Sequence, residues 1–468
     1  MATSIPKRKS KQRPDDTVQP VPLSALSPDI RLCYEGKRDE AEILRTPPAA
    51  MTTLWPVVAP GGRVPTNRLY FGDNLRVMAA LLDDPTMRGQ VRCIYIDPPY
   101  ATGGVFQSRG QHDAYDDVLI GAHYVEFLRE RLILLRELLA DNGSIYVHLD
   151  KNMAFAIKMV MDEVFGPKNF RSWITRKKCN PKNYTSKTYG NVADFLLFYS
   201  KTDTYMWNRP TEAGTEARAK EYQYVDERGR RFMKVPVHAP GVRNGETGQP
   251  WRGKLPPPGK HWQYPPSKLE ELDANGDIYW STNGNPRRKV YLDGSDGVPV
   301  QDIWLDFRDA HNQNIKITGF PTEKNPDLLA RIIGASSNPG DLVLDCFAGS
   351  GTTLAVAAQL GRRWIGVDDS AHAIATTLRR FALGLTPMGD FVGKRGKGGA
   401  DKQGWQARLF APVEDAATDF VLHAEVSVVP AVASVTPVDV LALARLVEGP
   451  HADGTDMVSA SDALSTDQ

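Results

Sequence analysis

Val91-Arg92-Cys93-Ile94-Tyr95-Ile96-Asp97-Pro98-Pro99-Tyr100 is the segment from which the fold class of this 468-residue chain can be read. Its first six residues are mostly apolar and predict a buried parallel strand that ends before Asp97. The Asp97 carboxylate and the next backbone carbonyl can accept both hydrogens of an exocyclic amine, and the Tyr100 ring can stack on a flat heterocycle. Pro98 and Pro99 lack N–H donors and fix the backbone. The segment therefore predicts a pocket for a heteroaromatic amine at the end of a strand.

The sequence on either side of this segment alternates between strand and helix patterns. Arg68–Phe71 and Ser144–Leu149 predict strands, and Asn74–Leu82 and Tyr124–Leu139 predict helices. The alternation returns later as helix Pro326–Ile333, strand Leu342–Leu344, helix Thr352–Leu360, strand Trp364–Val367 and helix Ala371–Leu383. Such alternation is typical of α/β proteins with a parallel sheet.

Composition divides the chain into five parts. Residues 1–50 are rich in Pro, Lys and Ser and predict a flexible basic arm, and residues 51–167 form the first half of the α/β domain. Residues 168–320 hold six of the nine tryptophans with little periodicity, which predicts an insertion. Residues 321–385 form the second half of the domain, and residues 386–468 predict a linker followed by an acidic tail.

The bulk composition excludes several classes of protein. Lys plus Arg total 57 against 56 Asp plus Glu, so the net charge alone does not indicate a nucleic-acid partner. The four cysteines are widely spread without a Cys-x-x-Cys pair, which fits a reducing cytosol and offers neither a disulfide framework nor a zinc site. The histidines His112, His123 and His148 form no recognisable ligand set. No apolar stretch reaches the length of a membrane span, so we expect a soluble cytoplasmic protein without a bound metal.

A second motif, Asp345-Cys346-Phe347-Ala348-Gly349-Ser350-Gly351-Thr352-Thr353, joins a predicted strand to the helix that follows it. Its glycines allow close backbone approach, and the helix N-terminus offers free N–H groups to a carboxylate or hydroxyl. A dinucleotide fingerprint would need a third glycine where Leu354 stands, and the end of an NTPase phosphate loop is missing. Asp368 ends the next strand, where an acid can accept both hydroxyls of a ribose. The motif therefore predicts a cofactor that contains a nucleoside.

Together the two motifs resemble the β-class DNA amino-methyltransferases, a family that includes the modification subunits of type III restriction systems. The resemblance extends from about Asn67 to Leu383. That family is circularly permuted, with its catalytic motif before the target-recognition region and its cofactor motif last, and this chain has the same order. The resemblance implies a Rossmann-like methyltransferase sheet and S-adenosylmethionine as cofactor. It also makes 51–167 the catalytic half, 168–320 the inserted target-recognition region and 321–385 the cofactor-binding half.

The resemblance assigns site residues position by position. Asp97, Pro98, Pro99 and Tyr100 match the catalytic motif. The implied cofactor-binding residues are Asp73, Thr322, Lys324, Asp345, Phe347, Gly349, Gly351 and Asp368. Two positions depart from the family pattern, since Ala101 stands where asparagine is usual and Asn325 separates Lys324 from Pro326. The implied chemistry requires neither a metal nor a covalent intermediate.

The activity that the resemblance implies is methyl transfer to the N6 amine of adenine in a flipped-out base of double-stranded DNA. Cytosine N4 suits the same pocket and stays open as an alternative, as does a non-catalytic DNA-binding protein that keeps a methyltransferase shell. Cytosine C5 chemistry is disfavoured, because it needs a cysteine nucleophile and the chain has no Pro-Cys pair. Residues 168–191 contain seven Lys or Arg, no acid and four aromatic residues, which favours contact with DNA. The sequence does not distinguish a solitary enzyme, a homodimer and a restriction subunit.

Overall fold

A computed structural model of the chain describes most of the residues that carry the two motifs. The described residues are 31–56, 66–99, 105–107, 113–116, 121–180, 187–212, 221–292, 298–307, 309, 316–318, 320, 323–384, 386–387, 420–428 and 440–448. Tyr100 and Thr322 of the predicted site lie outside them, as do residues 1–30 of the predicted arm. None of the described helices is both long enough and apolar enough to cross a membrane.

Strands and helices alternate along the two halves of the domain, as predicted. In chain order the strands are β1 Met51–Pro56, β2 Asn67–Phe71, β3 Val91–Ile96, β4 Val105–Gln107, β5 Asp113–Asp116, β6 Leu139–Leu149, β7 Phe170–Lys177, β8 Ala193–Ser200, β9 Thr211–Glu212, β10 Tyr224–Val225, β11 Arg231–Pro236, β12 His238–Pro240, β13 Lys260–Trp262, β14 Ile278–Trp280, β15 Pro286–Tyr291, β16 Val298–Pro299, β17 Ile303–Trp304, β18 Lys316–Ile317, β19 Leu342–Asp345, β20 Arg363–Asp368, β21 Thr386–Pro387 and β22 Phe420–Glu425. The α-helices are α1 Glu40–Ile43, α2 Asn74–Asp83, α3 Gly121–Leu138, α4 Ala154–Phe165, α5 Pro266–Ala274, α6 Pro326–Ser336, α7 Thr352–Gln359, α8 Ala371–Leu383 and α9 Val440–Glu448. Short 3-10 helices lie at Pro167–Asn169 and Glu246–Gly248.

Ten strands form one mixed sheet in the order β1-β22-β2-β20-β19-β3-β6-β8-β7-β17. The neighbours from β22 to β6 run parallel, whereas the hairpin of β7 and β8 pairs antiparallel onto β6. Because parallel strands end at the same edge of a sheet, the loops after β3 and β19 lie side by side. The predicted α/β class with a Rossmann-like sheet is confirmed. The chain order, in which β3 precedes β19, is the permuted order that the resemblance implies.

The core lies on both faces of this sheet, and β3 contributes to each of them. Ile94 and Ile96 pack in the cluster that contains the apolar residues of α3 and α4. Cys93 and Tyr95, which alternate with them, pack in the cluster that contains residues of α6, α7 and α8. All four side chains are buried. A strand covered on both faces needs a nearly continuous apolar run, which explains the sequence of Val91–Ile96.

The structure differs from the predicted boundaries at both ends of the domain. Strand β22 falls within the predicted acidic tail, yet it lies between β1 and β2 in the main sheet, and α9 packs on α8. Its residues Phe420, Leu422 and Ala424 are fully buried. The tail was predicted from the acidic composition of the whole segment, which does not show the short apolar alternation inside it. Within the predicted arm, α1 buries Ile43 against the domain.

A separate four-stranded sheet lies inside the insertion, in the order β10-β11-β15-β14. One of its faces packs on α5 around a core made of Val237, Trp251, Trp262, Leu269 and Ile278. We use the name inserted unit for residues 221–292, which contain this sheet and its core. The hairpin of β7 and β8, which the sequence assigned to the insertion, extends the main sheet instead because it pairs with β6.

We expect Leu422→Ala to lower the free energy of unfolding by about 2–5 kcal/mol, because truncating a fully buried side chain leaves a cavity. Val426→Ala is the matched control, since Val426 lies just past the same strand and is 57% exposed. Its effect should stay within about 0.5 kcal/mol. Urea unfolding followed by tryptophan fluorescence measures both variants. Equal effects of the two substitutions would contradict the position of β22 in the main sheet.

Candidate active site

A cavity lies at the edge of the sheet where the loops after β3 and β19 meet. The predicted site residues that line it are Asp97, Pro98, Pro99, Lys324, Asp345, Phe347, Gly349 and Asp368. Tyr95, Phe320, Glu323 and Asp369 also line it and were not predicted. The fold therefore brings the two sequence motifs together in the lining of one cavity, although most of the chain between them forms other structure.

Asp97 lies between cationic and hydrogen-bonding groups from two other parts of the chain. The Lys324 ammonium forms an ion pair with its Oδ2, and the two side chains are only 9% and 16% exposed. Its Oδ1 lies 3.9 Å from Nδ1 of His148. An ion pair with so little exposure is screened by salt much less than a surface pair. Lys324, which the resemblance places at the cofactor, thus also contacts the carboxylate of the catalytic motif.

Glycine is required in the loop after β19. Gly349 and Gly351 both have positive φ angles, of +51° and +70°. A Cβ on Gly351 would come within 2.7 Å of Thr377, and a Cβ on Gly349 would lie 3.4 Å from Phe320. The Thr377 hydroxyl donates a hydrogen bond of 3.0 Å to the Gly349 carbonyl and fixes the loop. The loop therefore presents bare backbone to the cavity, and α7 begins directly after it.

Two carboxylates hold this loop, the buried Asp345 and the half-buried Asp368. Asp345 accepts hydrogen bonds from the Phe347 N–H at 3.0 Å and from the Thr353 hydroxyl at 2.6 Å. Asp368 accepts them from the N–H groups of Gly349 at 2.8 Å and of Ser370 at 3.0 Å. Burial raises the pKa of each carboxyl to about 7. The ionised form of such an acid is stabilised by a ligand that brings hydroxyl donors or positive charge into the cavity.

Asp73 lies outside the lining of the cavity. It caps the N-terminus of α2, where its carboxylate accepts the Arg76 N–H at 3.0 Å, and its side chain is 44% exposed. The second carboxylate oxygen lies 3.5 Å from the Arg131 guanidinium. Burial and then the charge of Asp73 raise the pKa of Asp369, which does line the cavity. Asp73 is therefore close to the rim, and its contact with a cofactor stays a prediction.

Sequence reasoning missed a row of charged side chains beside Asp97. His148 of β6 is fully buried, with Nε2 3.0 Å from the carboxylate of Asp194 on β8. The same Asp194 oxygen lies 2.9 Å from the guanidinium of Arg176 on β7, which is also fully buried. Burial raises the pKa of Asp194, but the charge and hydrogen bond of His148, with Arg176 and Lys324, bring it below the ordinary value. The available signal was a histidine at the carboxyl end of an apolar strand.

The basic segment 168–191 is partly structural. Arg176 is buried in the charged row, and Arg171 donates hydrogen bonds to the Ser200 hydroxyl at 2.7 Å and to the Thr202 carbonyl at 3.0 Å. Phe170 packs against Tyr199 inside the domain. Fewer charges of this segment are therefore free for a ligand than the sequence indicates. Among the residues that the structure describes, no group of three or more His, Cys, Asp or Glu side chains could hold a metal ion.

Comparison with known proteins identifies the family to which this chain belongs. The chain belongs to the N6/N4 DNA methylase family, whose profile matches residues 91–379. The type II methyltransferase M.EcaI of Enterobacter cloacae is 48% identical over 372 residues, which cover 79% of this chain and 81% of that protein. The StyLTI Mod subunit of a type III restriction-modification enzyme from Salmonella typhimurium is 28% identical over 61% of this chain and 49% of the subunit. The predicted family is confirmed, and the chain is a DNA methyltransferase.

Solved structures with a similar fold have little sequence in common with this chain. The crystal structure of an M1.HpyAVI–SAM complex covers 68% of this chain and 99% of its own, with a TM-score of 0.39 and 17% identity. PvuII DNA methyltransferase, which is cytosine-N4-specific, covers 76% of this chain and 95% of its own, with a TM-score of 0.36 and 14% identity. The family assignment includes both kinds of exocyclic amine and does not choose between them.

We expect Asp345→Asn to stabilise the protein relative to the wild type, and to do so more at about pH 8 than at about pH 5. The folded-state pKa of about 7 lies above the ordinary value of 3.8, so the folded protein keeps a proton that the unfolded chain releases. The stability of the wild type therefore falls as the pH rises towards 7 and through it. Asparagine does not ionise, and its carbonyl can still accept the Phe347 N–H.

Thermal unfolding across this pH range measures the difference between Asp345→Asn and the wild type. The difference should grow by at least about 1.4 kcal/mol, the equivalent of one pKa unit. Part of the difference is already present at about pH 5, because the unfolded chain releases the proton of Asp345 from pH 3.8 upwards, so the growth of the difference with pH is the quantity tested. A difference that stays constant with pH would contradict the raised pKa of Asp345.

Proposed function

We propose that this chain transfers the methyl group of S-adenosylmethionine to the exocyclic N6 amine of adenine in double-stranded DNA. The observation that carries the proposal is that Asp97 and Pro98 share one cavity with the glycine loop and Asp368. Family membership supports an exocyclic amine of DNA as the acceptor. The resemblance to type III modification subunits favours adenine, and cytosine N4 is the alternative within the same chemistry.

The residues on the cofactor side of the cavity fit S-adenosylmethionine. When bound, this cofactor supplies a methyl group on a positively charged sulfur, which leaves as a neutral thioether. Asp368 would accept the ribose hydroxyls, and the Lys324 ammonium would hold the methionine carboxylate. Gly349, which lines the cavity, and Gly351 both have positive φ angles that favour glycine, so the loop presents backbone without side chains at these positions. The buried Asp345, whose pKa is raised, would favour a cationic ligand.

Asp97 and the Pro98 carbonyl would act on the amine. The lone pair of an exocyclic amine is delocalised into the ring, so the nitrogen is a poor nucleophile. Accepting both N–H hydrogens favours a pyramidal nitrogen with its lone pair towards the methyl group. As the nitrogen–carbon bond forms, the sulfur–carbon bond breaks, and the cationic nitrogen then releases one proton to Asp97 or water. Fixing both reactants in one cavity lowers the entropic part of the barrier.

The target base would have to leave the helix to reach this cavity. A base stacked in a duplex cannot place its amine against Asp97, so the enzyme extrudes it. Tyr100, which follows the described part of the motif, is predicted to replace the lost stacking. Pro98 and Pro99 line the cavity and keep the backbone of the motif rigid.

We expect Asp97→Asn to lower the methylation rate by at least about 100-fold, because one of the two amine acceptors becomes an amide group. Binding of S-adenosylmethionine, measured by calorimetry, should remain detectable. Asp203→Asn is the matched control, since Asp203 is a carboxylate with 83% side-chain exposure that pairs with Arg171 away from the cavity. The control should keep the wild-type rate. Full activity of Asp97→Asn would remove Asp97 from the mechanism.

Mass spectrometry of nucleosides decides between the two bases. Purified protein is incubated with unmethylated genomic DNA and S-adenosylmethionine, and N6-methyladenine is the expected product. N4-methylcytosine would keep the chemistry and replace the base. If neither product forms although the cofactor binds, a non-catalytic DNA-binding role or dependence on a restriction partner replaces this proposal. Homodimer formation and membership of a restriction complex stay predictions.

We also propose that one face of the sheet in the inserted unit binds the DNA backbone. This lysine–tyrosine face consists of Tyr224, Lys234, Tyr279, Arg287, Lys289 and Tyr291. Side chains alternate along a strand, so Tyr279 points away from its neighbours Ile278 and Trp280, which pack in the core with α5. The strand register places the other members of the set on the side of Tyr279.

The charges on this face are arranged for a polyanion. Lys234 and Lys289 stand directly opposite each other on β11 and β15, a placement of like charges that disfavours folding. The Lys234 ammonium lies 3.5 Å and 3.4 Å from the ring centres of Tyr224 and Tyr279. The ion pairs found within the described residues of the unit involve Arg230, Arg252 and Lys268, and none of the cations on the face. Cations outside these ion pairs, placed among partly exposed tyrosine rings, are typical of surfaces that bind nucleic acid.

We expect Lys234→Ala and Lys289→Ala each to weaken DNA binding and to reduce the slope of log Kd against log salt by about 0.9, the value for one phosphate contact. Lys268→Ala is the matched control, because Lys268 is an exposed lysine of α5, on the other side of the unit, and pairs with Glu271. Fluorescence anisotropy with a labelled duplex over a salt series measures the slope. Slopes equal to that of the control in both variants would exclude this face as a phosphate-binding surface.

A further inference from the structure

We infer that His148 is a positioning residue for Asp97, and that Asp194 and Arg176 connect it to Phe307 and Asp309 of the insertion. The inference rests on the proposed function, in which Asp97 receives the amine of the target base. It adds residues that hold that carboxylate in position and a series of contacts from the insertion to the proposed reacting atoms.

Strand register places the charged row next to the catalytic motif. In the parallel pair of β3 and β6, Tyr95 lies opposite Tyr146 and Ile96 opposite Val147, so His148 follows on β6 as Asp97 follows on β3. In the antiparallel pair of β7 and β8, Arg176 lies directly opposite Asp194. His148 therefore lies between the carboxylates of Asp97 and Asp194, and Arg176 follows on the next strand. Lys324 forms an ion pair with the other carboxylate oxygen of Asp97.

The imidazole of His148 is held from both sides. Its Nδ1 lies 2.8 Å from the Tyr95 hydroxyl and 3.9 Å from Asp97, and its Nε2 lies 3.0 Å from Asp194. Tyr95 is on β3 and Asp97 directly follows the strand, and both lie on the Nδ1 side of the imidazole. The ring is fully buried and cannot turn without losing contacts at both nitrogens. One edge of the imidazole thus supports the strand end that carries Asp97, and the other edge is anchored by Asp194.

Arg176 extends the row into the insertion. Its guanidinium donates hydrogen bonds to Asp194 at 2.9 Å, to Asp309 at 2.6 Å and to the Phe307 carbonyl at 2.6 Å. The Asp309 N–H in turn donates to the Lys178 carbonyl at 2.8 Å. Arg176 is fully buried, so these contacts are made without competition from water. A movement of Phe307 or Asp309 is therefore transmitted through packed and hydrogen-bonded groups to His148.

Stability alone is a weak reason for this row. Buried ion pairs can often be replaced by apolar side chains of similar volume without loss of stability. Here Asp194, His148 and Arg176 are buried at the carboxyl edge of a sheet whose other strands are filled with apolar residues. The row also ends at the carboxylate on which the proposed reaction depends. Orientation of that carboxylate explains its position better than support of the core.

The two amide analogues of histidine separate positioning from packing. The side-chain nitrogen of His148→Asn takes the place of Nδ1, facing Tyr95 and Asp97, and that of His148→Gln takes the place of Nε2, facing Asp194. We expect kcat to fall by about 10- to 100-fold in His148→Gln, the usual cost of losing a group that orients a reactive one. In His148→Asn the loss of kcat should be smaller. The KM for S-adenosylmethionine and the unfolding temperature should match between the two variants.

Equal kcat values for the two variants would overturn the positioning role. So would a loss of kcat that follows a loss of cofactor affinity or of thermal stability, because that result indicates a structural role only. If the wild type methylates neither adenine nor cytosine, the proposed function fails. If the wild type is active and both variants keep its kcat, only the positioning role of His148 fails.

The link to the insertion has its own test. Asp309→Asn removes the charge that Arg176 contacts at a position where the side chain is 34% exposed, so the fold should tolerate it. We expect kcat to fall several-fold at saturating DNA while the Kd for DNA is unchanged. Asp306→Asn is the matched control, because Asp306 belongs to the same segment but pairs with Arg331. An unchanged kcat in Asp309→Asn, or equal losses in both variants, would overturn the link.

Discussion

The parallel pairing of β3 with β19 is the constraint on which the rest of the structure depends. These strands come from distant parts of the chain, and the ion pair of Arg92 with Asp341 beside them joins residues 249 positions apart. Once they are hydrogen-bonded neighbours, their carboxyl ends must open on the same edge of the sheet. The Asp97 motif and the glycine loop then line the same cavity.

The acids of this cleft are of two kinds, which differ in the groups that lie next to them. Asp97 and Asp194 have cationic neighbours, Lys324 for the first and Arg176 for the second. Asp345 and Asp368 are hydrogen-bonded and form no ion pair with any residue that the structure describes, and burial raises the pKa of each to about 7. The first kind suits a group that accepts amine hydrogens. A cationic or hydroxyl-bearing ligand stabilises the ionised form of the second kind. Cofactor binding and carboxylate ionisation should therefore reinforce each other.

Local features could be predicted from the sequence, whereas features that depend on the pairing of strands far apart in the chain could not. Val91–Ile96 was found with its observed ends because a strand buried on both faces has a distinctive composition. Lys324 was assigned by resemblance, but its contact with Asp97 depends on how α6 approaches β3. His148 was given no role because it forms no recognisable ligand set in the sequence, and its partners come from β3 and β8, whose order in the sheet the sequence does not reveal. Strand β22 was missed because the prediction rested on the acidic composition of the whole segment, which does not show six residues of alternation.

The place of β22 also governs when the protein can finish folding during synthesis. Thr53 of β1 and His423 of β22 are in contact although they are 370 positions apart. Until the ribosome has released residues 420–425, β1 lacks its neighbour and β2 has an open edge. Both motifs will already have emerged by then, so the nascent chain holds a nearly complete catalytic cleft beside an unfinished sheet. An interrupted translation product would expose that edge, and quality control by proteases would be expected to remove it before it could modify DNA.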